Sequence, residues 1–417
     1  MSETSKSSQS ALKDIPRNVW AVSLTSFFMD ISSEMVINIL PLFLANVLGV
    51  KTNLIGFIEG LAESTSSLLK LFSGWLSDRL RARKWLAVLG YALSALTKPF
   101  FYFTNSWEVV AAVRWIDRVG KGVRTAPRDA LVADSVREGK RGLAFGFQRA
   151  ADTAGAMFGL LIALGAVWLA QASAVQLSEK TFRTIVLISI LPAILAVLTL
   201  ALGAQDIPVT GQRTAPRFVL KSLGKPFVVF MLIVGLFELG NSSDAFLVLR
   251  AQERGLSVIG ILAMLVTFNL VYTLVSTPAG LLSDRIGRRR VIIGGWLVYA
   301  AIYLGFGLAR SGWQVWVLYV VYGFYYGLAY GTSKAMVADL VPESVRGIAY
   351  GTYNAIIGIL DFPASLIAGL LWQGVSGWSG LGAAAPFLFG SAMAFVAALL
   401  MVFWLPRVIP MESSSLS

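Results

Sequence analysis

Seven charged side chains fall on one face of a single stretch in the first half of the chain. At 100° per residue they lie within about 140° of a helix, opposite an apolar face. Hydrocarbon does not tolerate such a stripe, so it is expected to face protein or a water-filled cavity. The stripe comprises Arg114, Asp117, Arg118, Lys121, Arg124, Arg128 and Asp129. It predicts contact between an anionic or zwitterionic solute and Arg114, Arg118 or Lys121. The alternative is a gating network in which the cations pair with nearby acids.

A pair of carboxylates lies one helical turn apart near the middle of the first apolar stretch. Asp30 and Glu34 would share one face of a helix there. Two adjacent carboxylates in a medium of low dielectric constant repel each other, so one of them is expected to hold a proton. The pair therefore predicts a site for proton coupling or substrate contact, with Asp117 as a third candidate for both roles, in a chain without histidine. The alternative is that cations of the stripe neutralise both carboxylates.

The second half of the chain carries fewer charges within its apolar stretches and more aromatic side chains. We expect its polar residues to contact the solute as well, and an aromatic wall would stack against an organic molecule. Aromatic residues at helical spacing also pack as core, and Asp361-Phe362-Pro363 also fits a helix break. The candidates for substrate contact in this half are Glu238, Asn241, Asp244, Tyr322, Tyr326 and Asp361.

The composition places these residues in a membrane protein. Of 417 residues, 56% are hydrophobic and 14% are charged, with a mean hydropathy of +0.70. Soluble proteins are about a quarter charged, so the composition excludes a soluble enzyme, a disordered chain and a secreted disulfide module. With no cysteine and no histidine, neither a metal nor a cofactor is predicted. The net charge of +12 predicts a surface facing anionic lipid, and no nucleic acid partner.

Apolar runs separated by charged or Gly/Pro breaks predict twelve membrane-spanning helices in two groups of six. The predicted parts of the chain are a disordered tail (1–17), a first six-helix bundle (18–204), a polar cytoplasmic linker (205–225), a second bundle (226–405) and a C-terminal tail (406–417). The predicted segments are roughly 18–48, 53–77, 85–104, 107–133, 142–170, 182–204, 226–250, 256–282, 290–309, 313–338, 346–372 and 384–405.

The distribution of basic residues predicts the orientation. With the N-terminus inside, 25 of the 35 Lys and Arg residues fall on the inner side and six fall on the outer side. Cytoplasmic loops carry such an excess of positive charge. The bias predicts a multi-pass protein of the cytoplasmic (inner) membrane with both termini in the cytoplasm. We expect it to function as a monomer surrounded by membrane lipid.

Two motifs recur about 205 residues apart. Gly74-Trp-Leu-Ser-Asp78-Arg79 matches Gly280-Leu-Leu-Ser-Asp284-Arg285, each at the end of an even-numbered segment. The second match joins the pair Asp134 and Arg141 to the pair Asp339 and Arg346. Motifs repeated at one offset indicate a duplicated six-helix unit.

The repeated Gly-x-x-x-Asp-Arg motif, followed by basic residues, resembles the major facilitator superfamily over nearly the whole chain. Arg118-Val-Gly-Lys121-Gly-Val-Arg-Thr-Ala126 resembles that family's helix-4 motif, with lysine in place of glutamine. Gly155 and Gly159 match part of its helix-5 antiporter signature, which here lacks the Gly-Pro. The resemblance implies an all-α membrane protein with twelve transmembrane helices in two pseudo-twofold-related bundles. It also implies that these bundles rock around a central site by alternating access.

Residues at the repeated motifs are predicted to form latches that close the inner face. A carboxylate there can pair with Arg or Lys and with a neighbouring helix N-terminus. Arg149 and Asp152, three residues apart on segment 5, are further gating candidates and could simply pair with each other. The predicted gating residues are Gly74, Asp78, Arg79, Asp134, Arg141, Arg149, Asp152, Gly280, Asp284, Arg285, Asp339 and Arg346.

These observations predict a secondary active transporter rather than an enzyme. It would move a small organic solute, anionic or zwitterionic, and export it in exchange for protons. The alternatives are proton-coupled uptake and efflux of drugs or cationic amphiphiles. In another class of function, the charged segment 4 would hold a lipid phosphate in a membrane enzyme, a flippase or a scramblase.

Overall fold

The computed structural model describes residues 15–80, 83–136, 141–207, 223–342 and 345–405. For residues 277, 279–285 and 328–331 it describes the backbone alone. The predicted tails up to residue 14 and from residue 406, and most of the predicted linker, therefore lie outside the described residues. The side chains of Asp284 and Arg285, and any contact at Gly280, lie outside them as well.

The described chain is almost entirely helical. Its helices are α1 (Arg17–Ile37), α2 (Leu40–Asn46), α3 (Thr52–Leu80), α4 (Arg83–Tyr102), α5 (Trp107–Asp134), α6 (Arg141–Gln171), α7 (Glu179–Gly203), α8 (Lys225–Leu239), α9 (Ala245–Glu253), α10 (Val258–Ile286), α11 (Arg288–Leu308), α12 (Gly312–Leu340), α13 (Arg346–Gln373) and α14 (Ala385–Phe403). Each predicted segment coincides with one of these helices or with a broken pair. The all-α fold class is therefore confirmed.

The first and seventh segments are broken, which the hydropathy pattern did not predict. Pro41 lies at the start of α2, where its missing N–H costs no helical hydrogen bond. In the seventh segment, Gly240-Asn-Ser-Ser-Asp244 separates α8 from α9. Short polar side chains compete with the backbone for hydrogen bonds, which favours such an interruption. Both breaks lie close to predicted site residues.

Within the described residues, seven stretches are long and apolar enough to cross a bilayer by length and composition alone. They are 17–46, 141–171, 179–203, 258–276, 288–308, 346–373 and 385–403. α5 falls below that standard because it carries the charged stripe. A helix with this many charges needs neighbours that pair with them.

Contacts at the helix ends define two faces of the molecule. We call the end at which α1 begins and α14 ends the terminal face, and the other end the opposite face. At the terminal face, the Arg17 side chain donates to the Gly203 carbonyl at the end of α7 (2.8 Å). At the opposite face, Arg183 donates to Asn105 in the loop before α5 (2.8 Å).

The two halves meet along α3 and α13, and along α6 and α10. Glycines make the first of these contacts close: Gly56 lies against the backbone of Ser365, and Gly358 lies against the Ser67 side chain. These close contacts occupy the middle of the two helices and the ends nearer the opposite face. At Gly351, nearer the terminal face, an added Cβ atom would meet open space. The close glycine contacts between α3 and α13 therefore extend from the middle of the helices toward the opposite face.

Candidate substrate and proton site

The deepest part of the site is an ion-pair network around Arg114 of α5. Arg114 is only 1% exposed, and its guanidinium holds both carboxylate oxygens of Glu59 on α3, at 3.3 and 2.7 Å. The same side chain donates to Glu63 one turn further along α3 (3.2 Å). A bidentate pair of this kind fixes the rotation of α5 against α3. Arg114 is therefore occupied by acids of its own half.

Asp117, predicted as a proton-coupling candidate, lies in the same network. One carboxylate oxygen lies 3.7 Å from the Lys98 ammonium on α4, and the other lies 3.6 Å from Arg114. Lys98 is fully buried and also reaches the Ser33 hydroxyl of α1 (3.5 Å). The sequence analysis missed Lys98 as a partner, although a lysine inside an apolar segment is itself a signal. These contacts favour a structural role for Asp117.

Arg118 is also paired, with its Nε atom 3.2 Å from a carboxylate oxygen of Glu63 and its side chain almost fully buried. For Arg114 and Arg118 the structure thus favours the predicted alternative, in which cations of the stripe pair with acids. Lys121, one turn further along α5, differs from both. It is half-buried, and its side chain makes no hydrogen bond or ion pair with another described residue. Asp30 and Glu63 lie within electrostatic range of it.

The cations of the stripe nearest the terminal face hold the first half together. Arg124 donates to the Ser94 hydroxyl of α4 (2.6 Å) and lies over the Tyr91 ring (4.5 Å). Arg128 pairs with its neighbour Asp129 (2.9 Å). α4 and α5 come this close because Gly90 on α4 lies against α5. These contacts agree with the gating and packing alternative for the outer part of the stripe.

Asp30 and Glu34 on α1 lie next to α6. Both side chains are half-buried, and Glu34 accepts a hydrogen bond from Asn38 in the break after α1 (2.8 Å). Gly159 on α6 packs against the Ile31 backbone and the Glu34 side chain. The structure therefore brings the predicted carboxylate pair together with the glycines of the partial helix-5 signature.

The two predicted gating residues of α6, Arg149 and Asp152, contact different partners. Arg149 donates to the Tyr272 hydroxyl of α10 in the second half (3.0 Å). Asp152 accepts from Gln148 (3.4 Å) and lies within electrostatic range of Asp30. Arg149 thus touches the second half, and Asp152 lies near the carboxylate pair on α1.

The second half contributes three acids, each near a different partner. Glu238 accepts from Asn241 in the break after α8 (2.9 Å), and Tyr299 donates to the same amide (3.1 Å). Asp244 is exposed at the start of α9 and accepts a long hydrogen bond from Tyr322 (3.5 Å).

Asp361 is half-buried on α13, within electrostatic range of Glu238 and of Lys70 on α3. Like Lys121, Lys70 is half-buried and forms no hydrogen bond or ion pair through its side chain with a described residue. α13 continues through Pro363, so a helix break at Asp361 is the wrong interpretation.

The predicted aromatic wall is a packed cluster. Tyr322 is only 1% exposed, and its ring centroid lies 5.6 Å from that of Phe268 and 5.7 Å from those of Tyr325 and Tyr326. Packing therefore accounts for the Tyr322 ring, in agreement with the alternative interpretation that these aromatic residues form core. Tyr326 is half-buried at the edge of this cluster, where a solute could reach it.

At the terminal face, residues of the two repeated motifs meet through basic side chains at the start of the next helix. In the first half, Arg83 of α4 contacts both Asp78 (3.1 Å) and Asp134. In the second half, Arg288 of α11 holds Asp339 (2.6 Å). Both cations follow the repeated motifs in the sequence, but their partners could not be predicted, because residue spacing does not show which ends of separate helices meet. Among the other predicted gating residues, Gly74 is buried in α3, Arg79 lies over the Trp75 ring (5.3 Å), and Arg141 and Arg346 begin α6 and α13.

The chain has relatives along its whole length. It is 35% identical over 397 residues to an uncharacterized MFS-type transporter of Methanocaldococcus jannaschii, covering 94% of this chain and 96% of that one. Among solved structures, the nucleoside transporter NupG superposes with a TM-score of 0.76 at 13% identity, over 92% of this chain and 99% of that one. A POT family transporter in complex with 5-aminolevulinic acid gives the same TM-score at 13% identity, over 94% and 97%. At such identities the structures show the fold alone.

The family profile described as Major Facilitator Superfamily matches residues 22–257 and 230–416, which together span both halves. The two matches agree with the duplication seen in the motifs and in the helices. With the multi-pass helical fold and transporter relatives, this shows that the chain belongs to the Major Facilitator Superfamily and is a membrane transporter of small molecules, rather than an enzyme.

Proposed function

We propose that this transporter carries a small zwitterionic or anionic organic solute and exports it across the cytoplasmic membrane in exchange for protons. The observation that carries the proposal is the division of charge across the centre of the molecule. The first half presents Lys121 and Lys70, which have no described hydrogen-bonding or ion-pair partner. The second half presents Glu238 and Asp361, together with the half-buried ring of Tyr326.

The charges on the two sides complement a zwitterion. A carboxylate or phosphate on the solute would bind the two lysines, and its amino group would bind the acids of α8 and α13. Each pole of the solute then contacts a different half, so binding holds the halves together around it. Charge-assisted hydrogen bonds at both poles favour the zwitterion over a molecule with one charge.

Asp30 and Glu34 are the proposed proton-coupling residues. Both are half-buried in the same half as Lys121, and Asp30 lies within electrostatic range of that lysine. Exchange requires that a bound proton weaken solute binding, and a proton on Asp30 removes a negative charge that would otherwise attract the amino group of the solute. Asp117 is a weaker candidate because Lys98 and Arg114 already hold it.

The proposed direction and orientation rest on separate observations. Gly155 and Gly159 bring α6 against α1 at Phe27 and Ile31, beside the carboxylate pair, which is where an antiporter would couple movement to proton release. The excess of Lys and Arg near the terminal face supports cytoplasmic termini. Four of the cations counted on the inner side lie inside α5, and the excess persists without them. They are Arg118, Lys121, Arg124 and Arg128.

The experiment is solute-driven proton movement in proteoliposomes that contain a trapped pH-sensitive dye. A panel of amino acids, organic acids, amines and neutral amides is added at equal concentration, and the wild type is compared with Asp30→Asn and Glu34→Gln. We expect zwitterions or organic anions to drive proton flux in the wild type, and Asp30→Asn to exchange solute without proton flux. Solute exchange without proton flux in the wild type would contradict the coupling, and flux driven only by amines would contradict the substrate class.

A second candidate function, efflux of organic cations, has one specific observation in its favour. The described hydrogen bonds of Glu238 and Asp244 come from Asn241 and Tyr322, neither of which is a cation. Two acids beside a cluster of aromatic rings suit an organic ammonium ion. Lys121 and Lys70 oppose this assignment, since both would repel the ligand across the cavity. The amine arm of the same panel distinguishes the two functions.

A further inference from the structure

Two amide side chains join the halves at the opposite face. The Asn46 Nδ2 atom donates to Gln252 Oε1 (2.9 Å), and the Gln252 Nε2 atom donates to Asn46 Oδ1 (2.8 Å). Asn46 is the last residue of α2, and Gln252 lies in the last turn of α9. The pair therefore ties the outer piece of one broken span to the outer piece of the other.

The two residues occupy equivalent positions in the duplicated chain. They are 206 residues apart, the same separation as Gly74 and Gly280 in the repeated motif. Equivalent residues of two pseudo-twofold-related halves can contact each other only near the axis that relates them. The amide pair thus lies near the pseudo-twofold axis, at the boundary between the two halves.

Backbone groups fix the orientation of both amides. Asn46 Oδ1 also accepts from the Leu177 N–H (2.9 Å), and a backbone N–H can only donate. Gln252 Nε2 also donates to the Val175 carbonyl (2.7 Å), which can only accept. Both assignments follow from these bonds, so the reciprocal hydrogen bonds do not depend on an arbitrary choice of amide rotamer.

The loop that supplies these backbone groups also crosses to the second half. Residues 174–177 connect α6 to α7 in the first half, and the Ala174 carbonyl accepts from the Val258 N–H at the start of α10 (3.2 Å). That N–H belongs to the first turn of a helix, where it has no partner inside the helix. The loop therefore acts as a strap over the amide pair. We call the amide pair and this strap the opposite-face clasp.

We propose that the opposite-face clasp is the gate of the opposite face, and that it must open in each transport cycle for the solute site to reach that face. The proposal rests on the proposed function and on the alternating access that the family resemblance implies. The bonds of the clasp are neutral and few, so water can replace them at small net cost. Hydrogen bonds of this strength can stabilise the state in which the opposite face is closed without preventing the change to the open state.

The first test uses an introduced thiol, because the chain has no cysteine of its own. Ser242→Cys places the thiol in the break between α8 and α9, on the inner side of the clasp. A membrane-impermeant maleimide is applied from the opposite face in proteoliposomes. Asn46→Asp with Gln252→Glu replaces the reciprocal hydrogen bonds by two repelling carboxylates. We expect this pair of substitutions to raise the labelling rate at least tenfold.

Two controls separate gating from loss of structure. Asn105→Ala removes an amide on the same face whose bond to Arg183 stays within the first half, and it should leave the labelling rate unchanged. The opposite-charge pair Asn46→Asp with Gln252→Lys should restore slow labelling, because the two side chains attract each other. An unchanged labelling rate in the double-acid variant overturns the proposal. So does an increase that the Asn105→Ala variant matches.

The second test locks the clasp. With Asn46→Cys and Gln252→Cys as the only thiols, a short bifunctional methanethiosulfonate should abolish solute exchange, and a reducing agent should restore it. Cross-linked protein that still transports at the rate of the reduced protein overturns the proposal. The labelling test needs neither a substrate nor proton flux. Its outcome is therefore separate from any failure of the proposed zwitterion export.

Discussion

The two halves of the chain share one helical plan but fill the equivalent span with different chemistry. α5 in the first half carries Arg114, Arg118 and Lys121, whereas α12 in the second half carries Tyr322, Tyr325 and Tyr326. The first half holds its buried charges by ion pairs, and the second half packs rings around acids that lack cationic partners among their described hydrogen bonds. Duplication has thus preserved the fold while the two walls of the site came to differ in charge.

The comparison teaches which charges are available to a solute. Arg114 and Arg118 are already paired with Glu59 and Glu63, so a solute would have to compete with these acids for either guanidinium. Lys121 and Lys70 have no such partner among the described residues, and the described hydrogen bonds of Glu238 and Asp244 come from neutral groups. Substitutions at both kinds of position test whether the paired charges stabilise the fold and the unpaired charges bind the solute.

The largest expected effect is on stability, from the paired scaffold. Arg114→Met leaves Glu59 buried without its partner, and we expect a loss of about 3–5 kcal/mol in the free energy of unfolding. Denaturant unfolding of the purified protein measures it. The double variant Arg114→Met with Glu59→Met should recover most of the loss. A small effect in the single variant would show that the network contributes little to the scaffold.

The next effect is on affinity, from the unpaired lining. Lys121→Gln removes a charge-assisted hydrogen bond of about 1.5–3 kcal/mol, so solute affinity should fall roughly ten- to a hundredfold with little change in stability. Binding is measured by calorimetry once the solute panel has identified a ligand. Lys121→Arg, which retains the positive charge, is the matched control. Equal affinities in all three proteins would remove Lys121 from the site.

A smaller effect is expected at the terminal face, on rate alone. Asp78→Asn weakens the contact with Arg83, which also holds Asp134. If this cluster stabilises one state of the cycle, solute exchange should slow several-fold while affinity at equilibrium stays within about twofold, because an ion pair far from the ligand does not touch it. Paired measurements of exchange rate and affinity test this. Equal losses in both quantities would place Asp78 in the folding of the first half instead.

The smallest effect is expected from the loss of one hydroxyl in the second half, with truncation of the whole ring as its comparison. Tyr322→Phe keeps the packed ring and removes one long hydrogen bond to Asp244, so affinity should change by less than about tenfold. Tyr322→Ala opens a cavity in the aromatic cluster and should destabilise the protein by about 3–5 kcal/mol, as for other large aromatic truncations. If the phenylalanine variant lost as much stability as the alanine variant, the hydroxyl rather than the ring would hold the cluster.

Hydropathy and repeats were sufficient to predict the helices, since a helix in a membrane must be long and apolar. Hydropathy did not predict the helix breaks around Asn38 and Gly240, because the pieces on both sides of each break are apolar. The stripe on α5 was predicted as a set, but spacing along one helix cannot tell which cations find acids on other helices. Pairing of Arg114 with Glu59, or of Lys98 with Asp117, depends on how α3, α4 and α5 pack, which only the structure shows.

The most direct test of a zwitterion site between unpaired lysines and acids of the two halves is a thermal-shift comparison of four matched ligands. An amino acid, its deaminated acid, its decarboxylated amine and a neutral amide are each tested on the wild type, Lys121→Gln, Glu238→Gln and Arg118→Lys. A ligand at one hundred times its dissociation constant stabilises by about 2.7 kcal/mol, which is readily measured. The account predicts the largest shift for the zwitterion in the wild type, a smaller shift in each variant, and no loss in Arg118→Lys. Stabilisation by the amine alone, unaffected by Lys121→Gln, would contradict it.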